Sequence, residues 1–142
     1  MRKPLKNRFK KIVRRRGMNR RFGWLQGTYR SKKCKKPVKY KSSYELAVAR
    51  YLDGKESVVA FAYEPFSIPY MVRNKGKLEK HKYFPDFYVL FDDEHKELWE
   101  VKPSSQRNLA INIAKWKTAA AFCKKAGIIF KIITEKEIKN FN

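Results

Sequence analysis

Three charged residues are spaced so that one β-hairpin can bring them together. Asp86 follows Phe84-Pro85, and Glu100-Val101-Lys102 comes later in the same region. If 82–90 and 97–102 are adjacent strands, the two-residue period places Glu100 and Lys102 on one face, and hairpin pairing can set Asp86 opposite them. Two carboxylates offer hard oxygen ligands to Mg²⁺, and an ammonium beside them can orient a water. The pattern therefore favours metal-dependent cleavage of DNA.

Charged residues on a hairpin commonly form only its solvated face, and the run Asp92-Asp93-Glu94 fits that interpretation. The surroundings of Glu100 and Lys102 differ. Trp99 and Val101 alternate with them, and the run 88–91 is apolar, which predicts a sheet covered on both faces. A half-buried carboxylate in such a sheet needs a partner, so these charges are better explained by chemistry than by solvation.

The charge of the chain indicates an acidic partner. Its 142 residues contain 35 Lys or Arg against 13 Asp or Glu, a net charge of +22, and an aromatic content of 15% that is typical of a folded domain. Residues 1–44 hold 18 Lys or Arg and no acidic residue. We predict a basic DNA-binding arm over 1–40 and one nuclease domain over 41–142. The preferred phosphate contacts are Arg20, Arg21, Arg30, Lys32 and Lys33.

The sequence contains no recognisable signal for secretion or for membrane insertion. The basic N-terminus is not followed by an apolar run of signal-peptide length, and no stretch is apolar enough to span a bilayer. We therefore expect a soluble intracellular protein with no membrane partner. The two cysteines, Cys34 and Cys123, are far apart and predict neither a zinc site nor a disulfide.

Hydrophobic periodicity predicts an α/β fold in the order helix, three strands, helix, strand. The predicted helices cover 42–53, before Gly54, and the segment marked by Leu109, Ile113, Trp116, Ala120 and Cys123, which ends at Gly127. Strands are expected at 58–61, 66–70, in the hairpin and, buried, at 128–133, with 71–80 as a polar loop. Thr134 and Glu137 match a capping box for a short last helix. The result is a mixed central sheet flanked by helices.

This order, together with Pro85-Asp86 and Glu100-Val101-Lys102, resembles the PD-(D/E)xK nuclease superfamily, which has a restriction-endonuclease-like αβββαβ core. Within that superfamily, ordered blocks between Gly27 and Ile138 are similar to the head-completion nucleases of T-even-type phages and to TnsA-type transposon endonucleases. The length favours the phage type, because TnsA proteins usually carry a further domain. The blocks are Gly27-Thr28-Tyr29, Lys41-Ser42-Ser43-Tyr44-Glu45, Tyr63-Glu64, Ile68-Pro69-Tyr70, the run 81–87, Glu100-Val101-Lys102-Pro103 and the run 130–135.

The resemblance implies a role for each matched residue. Asp86 and Glu100 would bind Mg²⁺, or Mn²⁺ in its place, with the carbonyl of Val101 as a third ligand. Glu45 would reach the metal directly or through water, and Lys102 would orient the attacking water. Ser42-x-x-Glu45 also matches a helix capping box, which would explain Glu45 without a metal.

Two further polar residues are weaker candidates for contacts with DNA. His81 precedes Asp86 closely enough to reach a phosphate, although a solvated loop histidine is the simpler interpretation. Gln106 opens the helix that follows the Glu-x-Lys strand, where its amide could approach substrate, although a polar residue at a helix start needs no such role.

The resemblance leaves three functional hypotheses. The first is an endonuclease with little sequence preference that trims packaged DNA ends during phage head completion, in the cytoplasm of the bacterial host or in the virion, beside portal or neck proteins. The second is a structural head-completion protein that binds DNA without cleaving it. The third is a junction-resolving or TnsA-like endonuclease. Oligomeric state does not follow from the sequence.

Overall fold

The computed structural model describes residues 25–141. Five consecutive strands lie between the first two α-helices of the described chain. The elements are α1 (Ser43–Gly54), β1 (Val58–Tyr63), β2 (Ile68–Asn74), β3 (Lys77–Tyr83), β4 (Phe87–Phe91), β5 (Lys96–Val101), a 3₁₀ turn (Ser104–Gln106), α2 (Ala110–Ala126), β6 (Ile129–Ile133) and α3 (Glu135–Ile138).

The central sheet has four strands in the order β1-β4-β5-β6. Strand β4 is antiparallel to both β1 and β5, and β5 is parallel to β6, so the sheet is mixed. The parallel pair is joined through α2, as a crossover connection requires. Taken in chain order, α1-β1-β4-β5-α2-β6 is the predicted αβββαβ core, which is confirmed.

The predicted loop at 71–80 and the predicted continuous strand at 82–90 were both wrong. Strands β2 and β3 form a separate two-stranded sheet, and β4 begins only at Phe87. The hairpin turns at Lys75 and Gly76, whose φ angles of 50° and 81° suit a two-residue hairpin loop. Its outward face is charged, so the usual alternation of apolar and polar residues is weak in the sequence.

Two hydrophobic clusters pack on opposite faces of the central sheet. The first, under α1, includes Leu46, Val48, Leu52, Phe87 and Val89. The second lies under α2 and contains Leu98 and Trp116 together with hairpin residues Ile68, Tyr70 and Tyr83. Both faces of the sheet are therefore covered, as the apolar runs predict.

Part of the segment that we assigned to the basic arm packs in the first cluster. Leu25, Cys34, Val38 and Tyr40 are buried there, and Tyr29 pairs with Val38 through two backbone hydrogen bonds of 2.8 and 2.9 Å. Residues 25–40 thus cover the α1 side of the core. Arm residues 1–24 lie outside the described part of the chain.

The second helix and the last strand depart from the predicted burial. As predicted, Gly127 ends α2, with φ 73°, and Trp116 and Cys123 are buried. Leu109 and Ile113, which were also predicted to be buried, are exposed. Ala119 is buried in place of Ala120. Strand β6 is half-exposed because it is the edge of the sheet.

The capping box of α3 at Thr134 and Glu137 is confirmed. Within residues 25–141, the helices are too short or too polar to cross a membrane.

Candidate active site

Asp86 lies where the pairing of β4 with β5 ends. Phe87 pairs with Trp99, and two residues further the same register would pair Pro85 with Val101. Proline has no backbone N–H, so it cannot continue the ladder. The Val101 N–H instead donates to the Asp86 side chain, whose Oδ2 accepts at 2.7 Å in place of a backbone carbonyl. On the β1 side, the Asp86 carbonyl accepts a bond of 2.8 Å from the Glu64 N–H, so Asp86 is held from both neighbouring strands.

Glu100 is on β5 beside Asp86 and is only 2% exposed. Its Oε1 accepts a hydrogen bond of 2.8 Å from the hydroxyl of Tyr83, the last residue of β3. The indole N–H of Trp116 is also close enough to lower the pKa of Glu100, although it makes no hydrogen bond of acceptable geometry. The hairpin and α2 therefore enclose this carboxylate.

Burial disfavours ionisation of both carboxyl groups of the pair. Burial raises the pKa of Asp86 well above its usual value, and the negative charges of Glu100 and Glu45 raise it further. Burial also raises the pKa of Glu100, against the hydrogen bond from Tyr83 and the positive charge of Lys102, which lower it. The Lys102 ammonium also lowers the pKa of Asp86, so it lies near both carboxylates.

Glu45 is in the first turn of α1 and makes two short hydrogen bonds. Its Oε1 accepts from the Tyr63 hydroxyl at 2.6 Å and from the backbone N–H of Lys41 at 2.8 Å, while its own N–H donates to Ser42 Oγ at 3.1 Å. The predicted capping geometry is therefore present in modified form, because the carboxylate binds the amide before the N-cap. The negative charge of Glu45 nevertheless raises the pKa of Asp86. The residue thus caps its helix and faces the carboxylate pair.

A polar cleft of about 480 Å³ connects these groups. It contains all four predicted catalytic side chains, Glu45, Asp86, Glu100 and Lys102. The other lining residues are Lys41, Glu64, Lys82, Tyr83, Phe84 and Lys115. The cleft is therefore acidic at its base and rich in lysine around it, which is the charge arrangement expected for a cation and a phosphate bound together.

The donor set at the base of the cleft suits Mg²⁺ better than zinc, because it is made of hard oxygen atoms. Among residues 25–141, no three His, Cys, Asp or Glu side chains come together as a metal-binding group. Two carboxylates, from Asp86 and Glu100, are adjacent. The Val101 N–H points towards Asp86, and the carbonyl of a strand residue points to the same side as its N–H. That carbonyl is thus available as a third ligand.

The predicted DNA contacts before α1 differ in their surroundings. Arg30 and Lys32 are exposed. The Lys33 ammonium instead donates to the carbonyls of Leu52 and Lys55, at 3.3 and 2.7 Å, at the end of α1. Lys33 therefore stabilises a helix terminus. Arg20 and Arg21 lie outside the described residues.

His81 and Gln106 are not among the residues that line the cleft. His81 is on strand β3, where its Nε2 lies 3.1 Å from Glu79 Oε1 and its ring lies 5.7 Å from that of Tyr70. Gln106 is in the 3₁₀ turn before α2, and its backbone carbonyl accepts from the Asn112 side chain at 2.9 Å. The expectations of a loop histidine and of a helix-opening glutamine were both wrong.

Sequence reasoning missed the two tyrosines that hold the carboxylates, Tyr63 and Tyr83. It also missed Lys82 and Lys115 as lining residues; the Lys115 ammonium lies 5.6 Å from the centre of the Tyr83 ring. Tyr83 and Lys82 immediately precede Phe84-Pro85-Asp86, so their proximity in sequence was the available signal. No such signal connects Tyr63 with Glu45.

Two comparisons show which known proteins this chain resembles. One relative is the head completion nuclease of Enterobacteria phage T4, which is 25% identical over 126 residues, covering 73% of this chain and 83% of that protein. The family model described as TnsA-like endonuclease N terminal matches residues 55–135, a range that contains Asp86, Glu100 and Lys102. Since this match covers more than half of the chain, the protein belongs to the TnsA-like endonuclease N-terminal family.

Proposed function

We propose that this protein is a Mg²⁺-dependent DNA endonuclease with its active site in the polar cleft. The observation that carries the proposal is the buried pair Asp86 and Glu100 beside Lys102, at the point where Pro85 ends the strand ladder. A divalent cation bound by these carboxylates and the Val101 carbonyl would offset their repulsion, neutralise phosphate oxygens and lower the pKa of a bound water. Mn²⁺ has the same ligand preference and would substitute.

The side chains of the chain itself position the reactants. The Val101 N–H and the Tyr83 hydroxyl fix the orientations of Asp86 and Glu100 through one hydrogen bond each. Lys102 orients the attacking water and offsets negative charge that develops on the phosphate. Glu45, whose carboxylate accepts a hydrogen bond from Tyr63, would reach a metal at this site directly or through a water.

Lysines around the cleft hold the substrate phosphates. Lys82 and Lys115 line it together with Lys102, whereas Lys41 is paired with Glu64 at 2.7 Å. Lysine contacts to phosphate position DNA without reading its sequence. We therefore infer cleavage with little base preference, with affinity that falls steeply as salt rises.

We infer the biological setting from one relative and one family match. The T4 protein is called a head completion nuclease, and we propose the same setting here, with packaged DNA ends as substrate and portal or neck proteins as neighbours. A TnsA-like role in cutting DNA for transposition is the second candidate, favoured by the family match. A structural role without cleavage is the alternative to both.

Conversion of supercoiled plasmid to nicked and linear forms tests the proposal. We expect cleavage with Mg²⁺, none with EDTA, and none from Asp86→Asn or Lys102→Ala proteins that still bind DNA. Lys124→Ala is a matched control, because it removes an exposed lysine at the far end of α2. If the variants cleave as well as the wild type, the assignment of the cleft is wrong. If the wild type binds DNA and does not cleave, the structural role is favoured.

A further inference from the structure

The β2–β3 hairpin has two faces of different character. Cross-strand partners face the same side of an antiparallel pair, so the register separates the side chains into two sets. The inner face includes Ile68, Tyr70 and Tyr83, which are buried in the cluster under α2. Its acidic residue, Glu79, faces the same way and is paired with His81 at 3.1 Å.

The outer face combines cations with apolar side chains. Its three cross-strand pairs are Pro69 with Lys82, Met71 with Lys80, and Arg73 with Leu78. All six residues are exposed, with Met71 at 49% and Leu78 at 57%. The set contains three cations and no acid. Arg73 donates one hydrogen bond, of 3.2 Å, to the carbonyl of Gly76, and its guanidinium has further donors.

This outer face is continuous with the active-site cleft. Lys82 belongs to both, and the chain runs directly from Tyr83 through Phe84 and Pro85 to Asp86. A strand of seven residues is roughly 20 Å long at about 3.4 Å per residue, which corresponds to roughly six base-pair steps. The hairpin therefore projects from the cleft over a distance that a bound duplex would also cover.

We infer that the outer face of the β2–β3 hairpin is a binding surface for duplex DNA, lying along a groove next to the bond to be cut. A two-stranded ribbon fits the major groove of B-DNA. Lys80 and Arg73 contact phosphates, and Met71 and Leu78 pack on sugars or base edges. The inference rests on the proposed function, because it places the scissile phosphate in the cleft.

The test is binding of a DNA duplex of ~30 base pairs, which is long enough to cover the ribbon. Binding is measured in EDTA by fluorescence anisotropy at several salt concentrations. An Arg73→Gln, Lys80→Gln double variant should bind at least ~10-fold more weakly, and its slope of log affinity against log salt should be shallower by about two. Lys77→Gln is the control, since it removes an exposed lysine of the same strand that belongs to the inner face. This variant should bind the duplex as tightly as the wild type does.

Cleavage separates this inference from the proposed function. With Mg²⁺, the double variant should need more enzyme for half-maximal cleavage and keep the maximal rate, since neither residue lines the cleft. Equal affinity and salt dependence for the double variant, Lys77→Gln and wild type would overturn the inference. A wild type that does not cleave would refute the proposed activity, and the metal-free binding assay would still decide whether the hairpin holds DNA.

Discussion

Strand β5 contains two buried glutamates whose pKa values are shifted in opposite directions. Glu97 is 5% exposed and Glu100 is 2% exposed. The carboxylate of Glu97 meets three donors: the His95 ring at 2.7 Å, the Trp99 indole at 2.8 Å and the Lys131 ammonium at 3.1 Å. Glu100 accepts one hydrogen bond, from Tyr83, and has the Asp86 carboxylate beside it.

Residue type and burial therefore do not distinguish the glutamate that we propose as a metal ligand, but charge compensation does. Burial alone would raise the pKa of Glu97, but hydrogen bonds from His95, Trp99 and Lys131 lower it overall. The pKa of Glu100 is raised by burial, because its hydrogen bond and Lys102 compensate only in part. Glu97 is satisfied within the protein, whereas Glu100 gains most from a cation that binds from outside.

The largest expected effect comes from neutralising each glutamate in turn. Glu100→Gln should reduce cleavage by more than the ~10–100-fold typical of losing an outer hydrogen bond to a metal ligand, and should leave the melting temperature equal or higher. Glu97→Gln should keep the cleavage rate and lower the free energy of unfolding by about 1.5–3 kcal/mol, since its hydrogen bonds are charge-assisted. Plasmid cleavage and thermal denaturation measure the two effects.

The two variants control for each other, because they make the same change three positions apart on one strand. The contrast fails if Glu97→Gln abolishes cleavage while it remains folded. It also fails if Glu100→Gln unfolds the protein, which would give Glu100 a structural role.

Removing one donor from each glutamate should have smaller effects of the same kind. Tyr83→Phe removes the hydroxyl that orients Glu100 and should weaken Mg²⁺ binding or cleavage by ~10–100-fold. Trp99→Phe removes the N–H that binds Glu97 and should lower stability without changing the metal dependence. The Mg²⁺ concentration for half-maximal cleavage separates the two, and an unchanged value for Tyr83→Phe would contradict the positioning role.

The core could be predicted from the sequence where periodicity was strong. The α1 helix, strands β1, β4 and β5, the stop at Gly127 and the order of the core all follow from apolar spacing and turn residues. Of the β2–β3 hairpin, only the start of β2 could be predicted, as the strand at 66–70, because the outer face is charged and few of its residues, Ile68, Tyr70 and Tyr83 among them, are buried. Burial along α2 was misassigned because the hairpin shifts the covered side of that helix towards Asn112, Trp116 and Ala119.

For the site, Asp86, Glu100, Lys102 and Glu45 could be placed in one cleft from motif spacing and resemblance. Their surroundings could not. The bond from Tyr63 to Glu45 joins β1 to α1, and the contacts of Lys33 join the segment before α1 to its end. Such contacts depend on tertiary packing between elements, which residue spacing does not encode.

The hydrogen-bonded group formed by Asp93, His95 and Glu97 should also make the stability of the protein depend on pH. Hydrogen bonds to Glu97 and then Asp93 raise the pKa of His95, so its contribution is complete below the unfolded pKa of 6.5 and is lost as pH rises through the folded value. Glu97 has a lowered pKa, so its contribution is present above 4.5 and is lost as pH falls. The melting temperature of wild type should exceed that of His95→Asn most between those pH values and approach it in alkali. A difference that grows in alkali would contradict this assignment.

The smallest expected effect is a difference between Lys33, whose ammonium donates hydrogen bonds within the protein, and its exposed neighbour Lys32. Lys33→Met removes the cation from the carbonyls of Leu52 and Lys55 and should lower the free energy of unfolding by about 0.3–1 kcal/mol, the usual value for a cation at a helix C-terminus. Lys32→Met should leave stability unchanged and reduce the salt dependence of DNA binding by about one phosphate contact. Denaturant unfolding and anisotropy titrations measure both variants. If Lys33→Met weakens DNA binding as much as Lys32→Met at equal stability, Lys33 leaves the helix end to bind phosphate. Otherwise, of these two predicted phosphate contacts, only Lys32 binds phosphate, because the Lys33 ammonium stays at the end of α1.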